Sequence, residues 1–469
     1  MSEHENGESF RDHVANQTLD GKRSWIYPKI IKGKFYKYRT YFSWFLLAFF
    51  FLAPFVKING YEFLLLNVLE RKFVIFGQPF WPHDFHVFVF LALTLLVFIV
   101  LFTVVFGRVW CGWACPQTIF MEMVFRKIEN LIEGNANKQK KLDAMPWNSE
   151  KITKKTLKHT IFFAISFLIS HTFLAYIIGI DKLWAQISGP FAENYSTFIS
   201  LVVFSFVFYL VFAKMRELVC IMACPYGRLQ GVMLDQNSMV VAYDHLRGEP
   251  RGKIRKNLAQ EEKGDCVDCG LCVDVCPTGI DIRNGTQLEC INCTACMDAC
   301  DEVMTKIKKP EGLIRIDSKN NIEEKKGFRF SGRIIAYSVV MLILMGASIG
   351  ILVTRSSVEA NVFRIPGQTY SEAEDGRVTN MFNLSMVNKS FDDKSFRLEL
   401  VPSANTEKAT LFLVQQDSVL NANSEEKKVF MIHKEQKDID TIEIPMEINL
   451  FVDDELVKTS KFTFLAPVR

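Results

Sequence analysis

A doubled cysteine pattern between Cys266 and Cys300 constrains this chain more than any other feature. The first run reads Cys266-x-x-Cys269-x-x-Cys272-x-x-x-Cys276-Pro277, and the second Cys290-x-x-Cys293-x-x-Cys296-x-x-x-Cys300-Asp301. Three thiols with two-residue spacers crowd onto one tight loop, and a fourth follows. This is the donor set of a [4Fe–4S] cubane, in which the fourth cysteine of each run ligates the other cluster. Cys266, Cys269, Cys272 and Cys300 are therefore assigned to one centre, and Cys290, Cys293, Cys296 and Cys276 to the second. A zinc site would want paired thiols separated by a longer gap. Disulfides are disfavoured where the segment lies in a reducing compartment, the placement reached below. Asp301 stands where the bacterial pattern has a second proline, which weakens the turn without removing a ligand.

The remaining sequence is membrane-like. Of 469 residues 49% are hydrophobic and 41 are Phe, high for a soluble protein. Charge-free apolar runs predict five spans, at Tyr41–Val56, His86–Phe106, His159–Ile180, Ser196–Ala213 and Ile334–Val353. The first is short against the ~20 residues a bilayer requires, but its aromatic flanks and Lys57 can snorkel. Residues 1–40 are polar and then basic, without the early apolar core of a signal peptide. Lys and Arg concentrate in this arm and between spans two and three, whereas the loops after spans one and three hold few. The positive-inside rule then places the N-terminus, 107–158 and 214–333 in the cytoplasm, and 354–469 outside, in the periplasm of a cell with two membranes.

The first four spans carry a repeat. Span two leads into Arg108-Val-Trp-Cys111-Gly-Trp-Ala-Cys115-Pro116, and span four into Arg216-Glu-Leu-Val-Cys220-Ile-Met-Ala-Cys224-Pro225. Each pair follows two crossings, so all four thiols belong to the cytoplasmic membrane face. A spacing of four puts both thiols of a pair on one side of a helical turn. The proline suits the first position of a new helix, and 116–132 has an amphipathic pattern (Ile119, Met123, Ile128, Ile132). Spacing leaves four readings open: cysteines packed as small apolar residues, a thiolate site for Cu(I), a dithiol–disulfide pair, or a further metal cluster. Met121, Met123 and Met222 lie close by in sequence, and thioethers also bind Cu(I), although helical Met mostly fills core gaps. His83, His86, His159 and His171 lie near spans two and three, without the second pair that a membrane haem arrangement would show. Gly346-x-x-x-Gly350 offers span five a homodimer face.

Beyond residue 354 the pattern changes to short period-two runs (Phe396, Leu398, Leu400; Ile448, Leu450, Val452; Phe462, Phe464) between turn-formers. This predicts an immunoglobulin-like β-sandwich of about seven strands, without cysteine and without a catalytic constellation. The expected organisation is a cytoplasmic arm (1–40), a four-span domain (41–232), a ferredoxin-type domain (233–333), a fifth helix (334–353) and an outer β domain (354–469). No P-loop or dinucleotide fingerprint is present, and the basic residues follow the membrane face rather than a nucleic-acid groove.

At Trp110–Thr118, Cys220–Arg228, Tyr243–Gly252, the double ferredoxin run with its Cys300-Asp301 ending, and Gly312–Arg315, the sequence resembles the bacterial cytochrome oxidase accessory proteins called CcoG, FixG or RdxA. The resemblance covers nearly the whole chain, including the order of spans, ferredoxin insert and outer β domain. It implies a membrane iron–sulfur protein that reduces Cu(II) to Cu(I) for assembly of cbb3-type cytochrome c oxidase. Oxidase subunits or copper-delivery proteins would then be its partners. In that picture Cys111, Cys115, Cys220 and Cys224 are the copper or redox thiols, and the ferredoxin cysteines hold the centres that supply electrons. Two rival readings stand beside it. One is a quinol-oxidising membrane ferredoxin, since the first four spans also resemble NapH-type proteins, which lack the outer β domain. The other is a non-enzymatic copper carrier or assembly scaffold.

Overall fold

A computed structural model describes residues 23–467 apart from 59, 69–71, 82–83, 254–262, 326, 328–330, 368, 373–375, 415–417 and 440. His83 and residues 1–22 of the basic arm therefore lie outside the described residues. The chain forms two compact units, residues 1–56 with 90–346 and residues 57–89 with 347–469.

Among the described residues, four helices are long and apolar enough to cross a membrane: His86–Phe106, Ser149–Ile178, Asn194–Met215 and Gly332–Val353. The expected first span is a helix too, Lys34–Leu52, followed by a 3-10 turn at Ala53–Phe55. Lys34, Lys37 and Arg39 occupy its first turns, so its charge-free part, Tyr41–Leu52, is only about 18 Å long. The third helix starts at Ser149 rather than His159, capped by the Asn148 side chain, which accepts from the Lys151 N–H at 2.8 Å. Its polar first turns turn inward instead of ending the helix. Gly346 and Gly350 in the last helix face open space.

What those polar turns meet is a buried ion-pair network. Lys158 pairs with Glu133 at 2.7 Å and Glu129 at 3.3 Å, and Lys155 with Glu133 at 3.0 Å and Asp143 at 2.6 Å. Arg216 pairs with Glu129, Arg126 with Glu122 at 3.0 Å, and Arg23 with Glu217 at 2.9 Å. The amphipathic helix expected over 116–132 is present, with a π-helical stretch at Ile119–Phe125. Its Arg126–Glu133 part is turned charge-inward: Arg126, Glu129 and Glu133 are buried, and Leu131 is 85% exposed.

The ferredoxin part packs on this frame within the same unit. Val240–Tyr243 and Ile314–Asp317 form a two-stranded antiparallel sheet, and helix Ala295–Lys306 lies beneath the cysteine loops. Val241, Ile280, Ile282, Met297, Met304 and Leu313 fill the core. Asp298 on that helix caps a distant one, accepting from the N–H groups of Phe35 at 3.1 Å and Tyr36 at 2.7 Å. The carboxylate thus meets the positive end of the 34–52 helix dipole. Gly33 is required there, because a Cβ would stand 2.1 Å from the Asp298 Cγ.

Among the described residues of the second unit, nine strands between Val358 and Leu465 form two antiparallel sheets of five and four strands. Two of the nine, Ser371–Glu372 and Val419–Leu420, are two residues long and leave no alternation to read in sequence. Phe396, Ile448, Leu450, Val452 and Phe464 point into the core, as their period predicts. Residues 57–80 contribute short strands to this unit, including a three-stranded sheet of Leu64–Asn67, Lys72–Ile75 and Gln78–Phe80. At the end of this stretch Asp84, 1% exposed, pairs with Arg355 at 2.6 Å and with Lys389 at 2.5 Å. Burial works against the Asp84 carboxylate, but the hydrogen bonds and charges of Arg355 and Lys389 prevail and hold it below the usual range.

Replacing Asp84 leaves the half-buried Arg355 without a carboxylate and the buried Lys389 with Glu359 alone, at 2.6 Å, so Asp84→Ala is expected to cost about 3 kcal/mol, the low end for a broken buried pair. Hydrogen exchange on the full chain will show lost protection in Val358–Arg364 and Arg377–Asn388. A depressed folded-state carboxylate stabilises at pH values above its unfolded pKa and loses that contribution as pH falls through the folded one. The difference between wild type and variant should therefore shrink below about pH 4.

Candidate functional site

The backbone shapes both cysteine loops alike. Asp268 and Gly270 flank Cys269 with positive φ of 51° and 70°, and Asn292 and Thr294 flank Cys293 with 52° and 65°. Left-handed residues on both sides of the middle cysteine curl each loop around its thiols. Two cavities result. One is lined by Cys266, Cys269, Cys272 and Cys300, the other by Cys276, Cys290, Cys293 and Cys296, with Cys272 between them. Among the described residues, no three His, Cys, Asp or Glu side chains close on a point as a single ion demands. A cubane makes no such demand, because its four thiolates bind four different irons. The residues present fit a [4Fe–4S] group in each cavity. Asp301 accepts from the Gly312 N–H at 2.8 Å and ties the cluster helix to the following strand.

The two Cys-x-x-x-Cys-Pro motifs are also built alike. Cys115 and Cys224 are extended residues, and Pro116 and Pro225 begin new helices. The Cys115 N–H bonds the Trp110 carbonyl and the Cys224 N–H the Val219 carbonyl, each five residues back, at 2.9 and 2.8 Å. Burial pushes the Cys111 thiol up to about 11 and Cys220 up to about 12. Cys111, Cys115 and Cys224 all lie within electrostatic reach of Cys220 and raise it further. The four thiols therefore share one locality. Cys111 donates to the Gln230 side-chain oxygen at 3.0 Å, and Gln230, fully buried, is also met by Arg108 at 3.3 Å.

This thiol locality lies against the inner of the two cysteine loops. A Cβ on Gly112 would stand 2.4 Å from the Ile291 carbonyl oxygen and 2.9 Å from the Cys293 Cα. Arg108 donates to the Leu288 carbonyl and Arg126 to the Pro277 carbonyl at 3.2 Å. A third cavity has Met121, Glu122, Glu217 and Cys220 on one wall and Pro277, Thr278 and Ile291 on the other. Met123 is buried outside it, and Met222 is 47% exposed. His159 Nδ1 lies 3.0 Å from the Tyr209 hydroxyl and His171 Nδ1 2.8 Å from the Phe167 carbonyl, so each spends a ring nitrogen on a neighbour. Arg39, Gly112 and Gln230 escaped the sequence reading. Only Gly112, set between Cys111 and Trp113 where bulk would be expected, left a visible trace.

Three family models match the chain: a 4Fe-4S dicluster domain over residues 215–319, a 4Fe-4S binding domain over 88–135, and the IG-like fold at the C-terminus of FixG over 348–467. Protein RdxA of Cereibacter sphaeroides is 34% identical across 83% of this chain and 85% of its own length. Protein RdxB of the same organism is 33% identical across 83% and 84%. The nitrogen fixation protein FixG of Rhizobium meliloti is 33% identical across 82% and 80%.

Because backbone, not a movable side chain, faces Gly112, Gly112→Ala must lift the thiol turn from the loop. Its cost should be about 1–3 kcal/mol, as for other overpacked sites. Denaturant-induced loss of the iron–sulfur absorbance in anaerobic protein will measure it.

Proposed function

This chain belongs to the FixG/RdxA family of polyferredoxins, and we propose that it delivers electrons to copper, reducing Cu(II) to Cu(I) for the assembly of a cbb3-type cytochrome c oxidase. Its iron–sulfur, electron-transferring character and its membrane helices come with the family. The copper step is what the resemblance to the oxidase accessory proteins implies, and the thiol site supports it. The observation that carries it is the shared cavity in which Cys220 faces Pro277, Thr278 and Ile291 of the cysteine loops.

The eight cysteines from Cys266 to Cys300 would hold two [4Fe–4S] clusters, which when bound supply one-electron reduction. Cys111, Cys115, Cys220 and Cys224 would receive the copper substrate two thiols at a time, since no three of them close on one point. Thiolates favour Cu(I) over Cu(II) and so ease reduction of a bound ion. One electron converts each Cu(II) to Cu(I), and it originates from an external one-electron reductant. Met121 on the same cavity wall adds a soft donor. The ring of Glu122, Arg126, Glu217 and Arg23 beside the cavity is internally paired, so it adds little net charge to the site.

We place the first unit's polar part in the cytoplasm and the β domain in the periplasm of a bacterial inner membrane. The helix Lys34–Leu52 and the 3-10 turn Ala53–Phe55 that follows it support a crossing within 41–56 and five spans in all. The β domain, without cysteine or catalytic constellation, would dock an oxidase subunit or a copper-delivery protein.

Changing Cys111 and Cys115 together to Ser should abolish Cu(II) reduction by the pre-reduced protein and leave the cluster absorbance intact; undiminished reduction would rule out the thiol site. Affinity for Cu(I) should also depend on pH. Both Cys111 and Cys220 have raised pKa values, so binding displaces a proton from each. Affinity then rises with pH by about tenfold per unit for every thiol deprotonated, through neutral pH and up to the thiol pKa. Competition with a colorimetric Cu(I) chelator between pH 6 and 8 measures the slope, and a flat profile excludes thiolate binding.

A further inference from the structure

The two cysteine sites differ in their charged surroundings. At the outer site Cys269 is exposed. Its nearest cation, Arg283, lines the cavity but is already engaged by Asp281 at 2.6 Å and Asp268 at 2.5 Å. Asp301 follows Cys300 directly and adds negative charge. At the inner site the balance reverses. Arg39 and Arg108 are each 4% exposed, and among the described residues neither has a carboxylate within ion-pair distance. Arg39 Nε donates to the Gly112 carbonyl at 2.8 Å, on the turn that abuts Ile291–Cys293, and its Nη2 is buried without a partner. Arg108 donates to the carbonyl of Leu288, two residues before Cys290. Arg126 also reaches this site, at the Pro277 carbonyl, but is neutralised by Glu122 and Glu217.

Two buried, unpaired guanidiniums are costly unless an anion answers them. A tetrathiolate-bound [4Fe–4S] centre is an anion, and reduction adds a further negative charge. From this we infer that Arg39 and Arg108 are the counter-cations of the inner site and set its reduction potential above that of the outer one. Potentials of such centres follow net charge, hydrogen bonding and exposure. The deeper burial of the inner site works in the opposite direction, since it disfavours the more highly charged reduced state, and the two unpaired cations outweigh it. The consequence is a polarity: a reductant meets the chain at the exposed Cys269 edge, and one electron at a time passes inward to the loop that lies against the thiol turn. The inference rests on both cavities holding [4Fe–4S] centres, not on what the thiols bind.

The test is an anaerobic redox titration of the full chain in detergent, followed by EPR, with dithionite as reductant and no copper present. Cys269→Ser marks which signal belongs to the exposed site. In the wild type the inner midpoint should be the higher. Arg39→Gln and Arg108→Gln should each lower the inner midpoint and leave the outer one in place, whereas Arg39→Lys, which keeps the charge, should stay near wild type. Should Arg39→Gln fail to hold iron, Arg108→Gln and Arg39→Lys carry the comparison. An inner midpoint below the outer one, midpoints unmoved in both Gln variants, or an equal shift in Arg39→Lys would each overturn the assignment. Since copper is absent throughout, failure here is distinct from failure of copper reduction.

Discussion

The contact on which the site depends is backbone against backbone: the Cys111–Cys115 turn seated on Ile291–Cys293, with Gly112 leaving no room for a side chain. The turn that carries Cys111 and Cys115 and a ferredoxin loop made far apart in sequence are thereby brought into van der Waals contact. In the relay proposed above, electron transfer falls steeply with distance, so the missing layer of side chains shortens the path across this junction. Arg108 and Arg126 fasten the same junction by donating to the Leu288 and Pro277 carbonyls, which makes it a fixed joint and not a chance approach.

Charge is handled unusually around that joint. The Arg126–Glu133 helix buries its charged side and exposes Leu131, and Lys155, Lys158 and Arg216 are consumed in internal pairs. Such networks bring geometric definition more than net stability, because desolvation offsets most of the Coulomb gain. Several residues that count toward the positive-inside rule are therefore structural. The rule itself weighs Lys and Arg whatever their pairing.

Much of this arrangement was legible in the sequence, for definite reasons. Thiol spacing sets which cysteines are expected to share a cubane; Cys276 lines a cavity with Cys290, Cys293 and Cys296, and Cys300 lines one with Cys266, Cys269 and Cys272. Alternation along Ile448, Leu450 and Val452 reported a half-buried strand correctly because the period-two rule is local. The strands between Leu64 and Phe80 were not legible, since four-residue runs carry too few turns of any period. The ends of the membrane helices were blurred because charged turns at Ser149–Lys158 are stabilised by partners distant in sequence. Arg39 and Arg108 read as two more members of a basic flank. Their isolation from carboxylates, among the described residues, exists only in three dimensions.

Asp298 has a consequence in time. It caps the helix beginning at Lys34, yet it follows Phe35 by 263 residues. At about 5–20 residues per second a ribosome needs roughly 10–50 s to travel from one to the other. For that interval the nascent helix keeps its leading amides without their carboxylate, and its docking waits for the ferredoxin segment to emerge. Biogenesis of the first membrane-proximal helix is thus completed by a residue synthesised after most of the membrane domain, which couples the finishing of one to the arrival of the other.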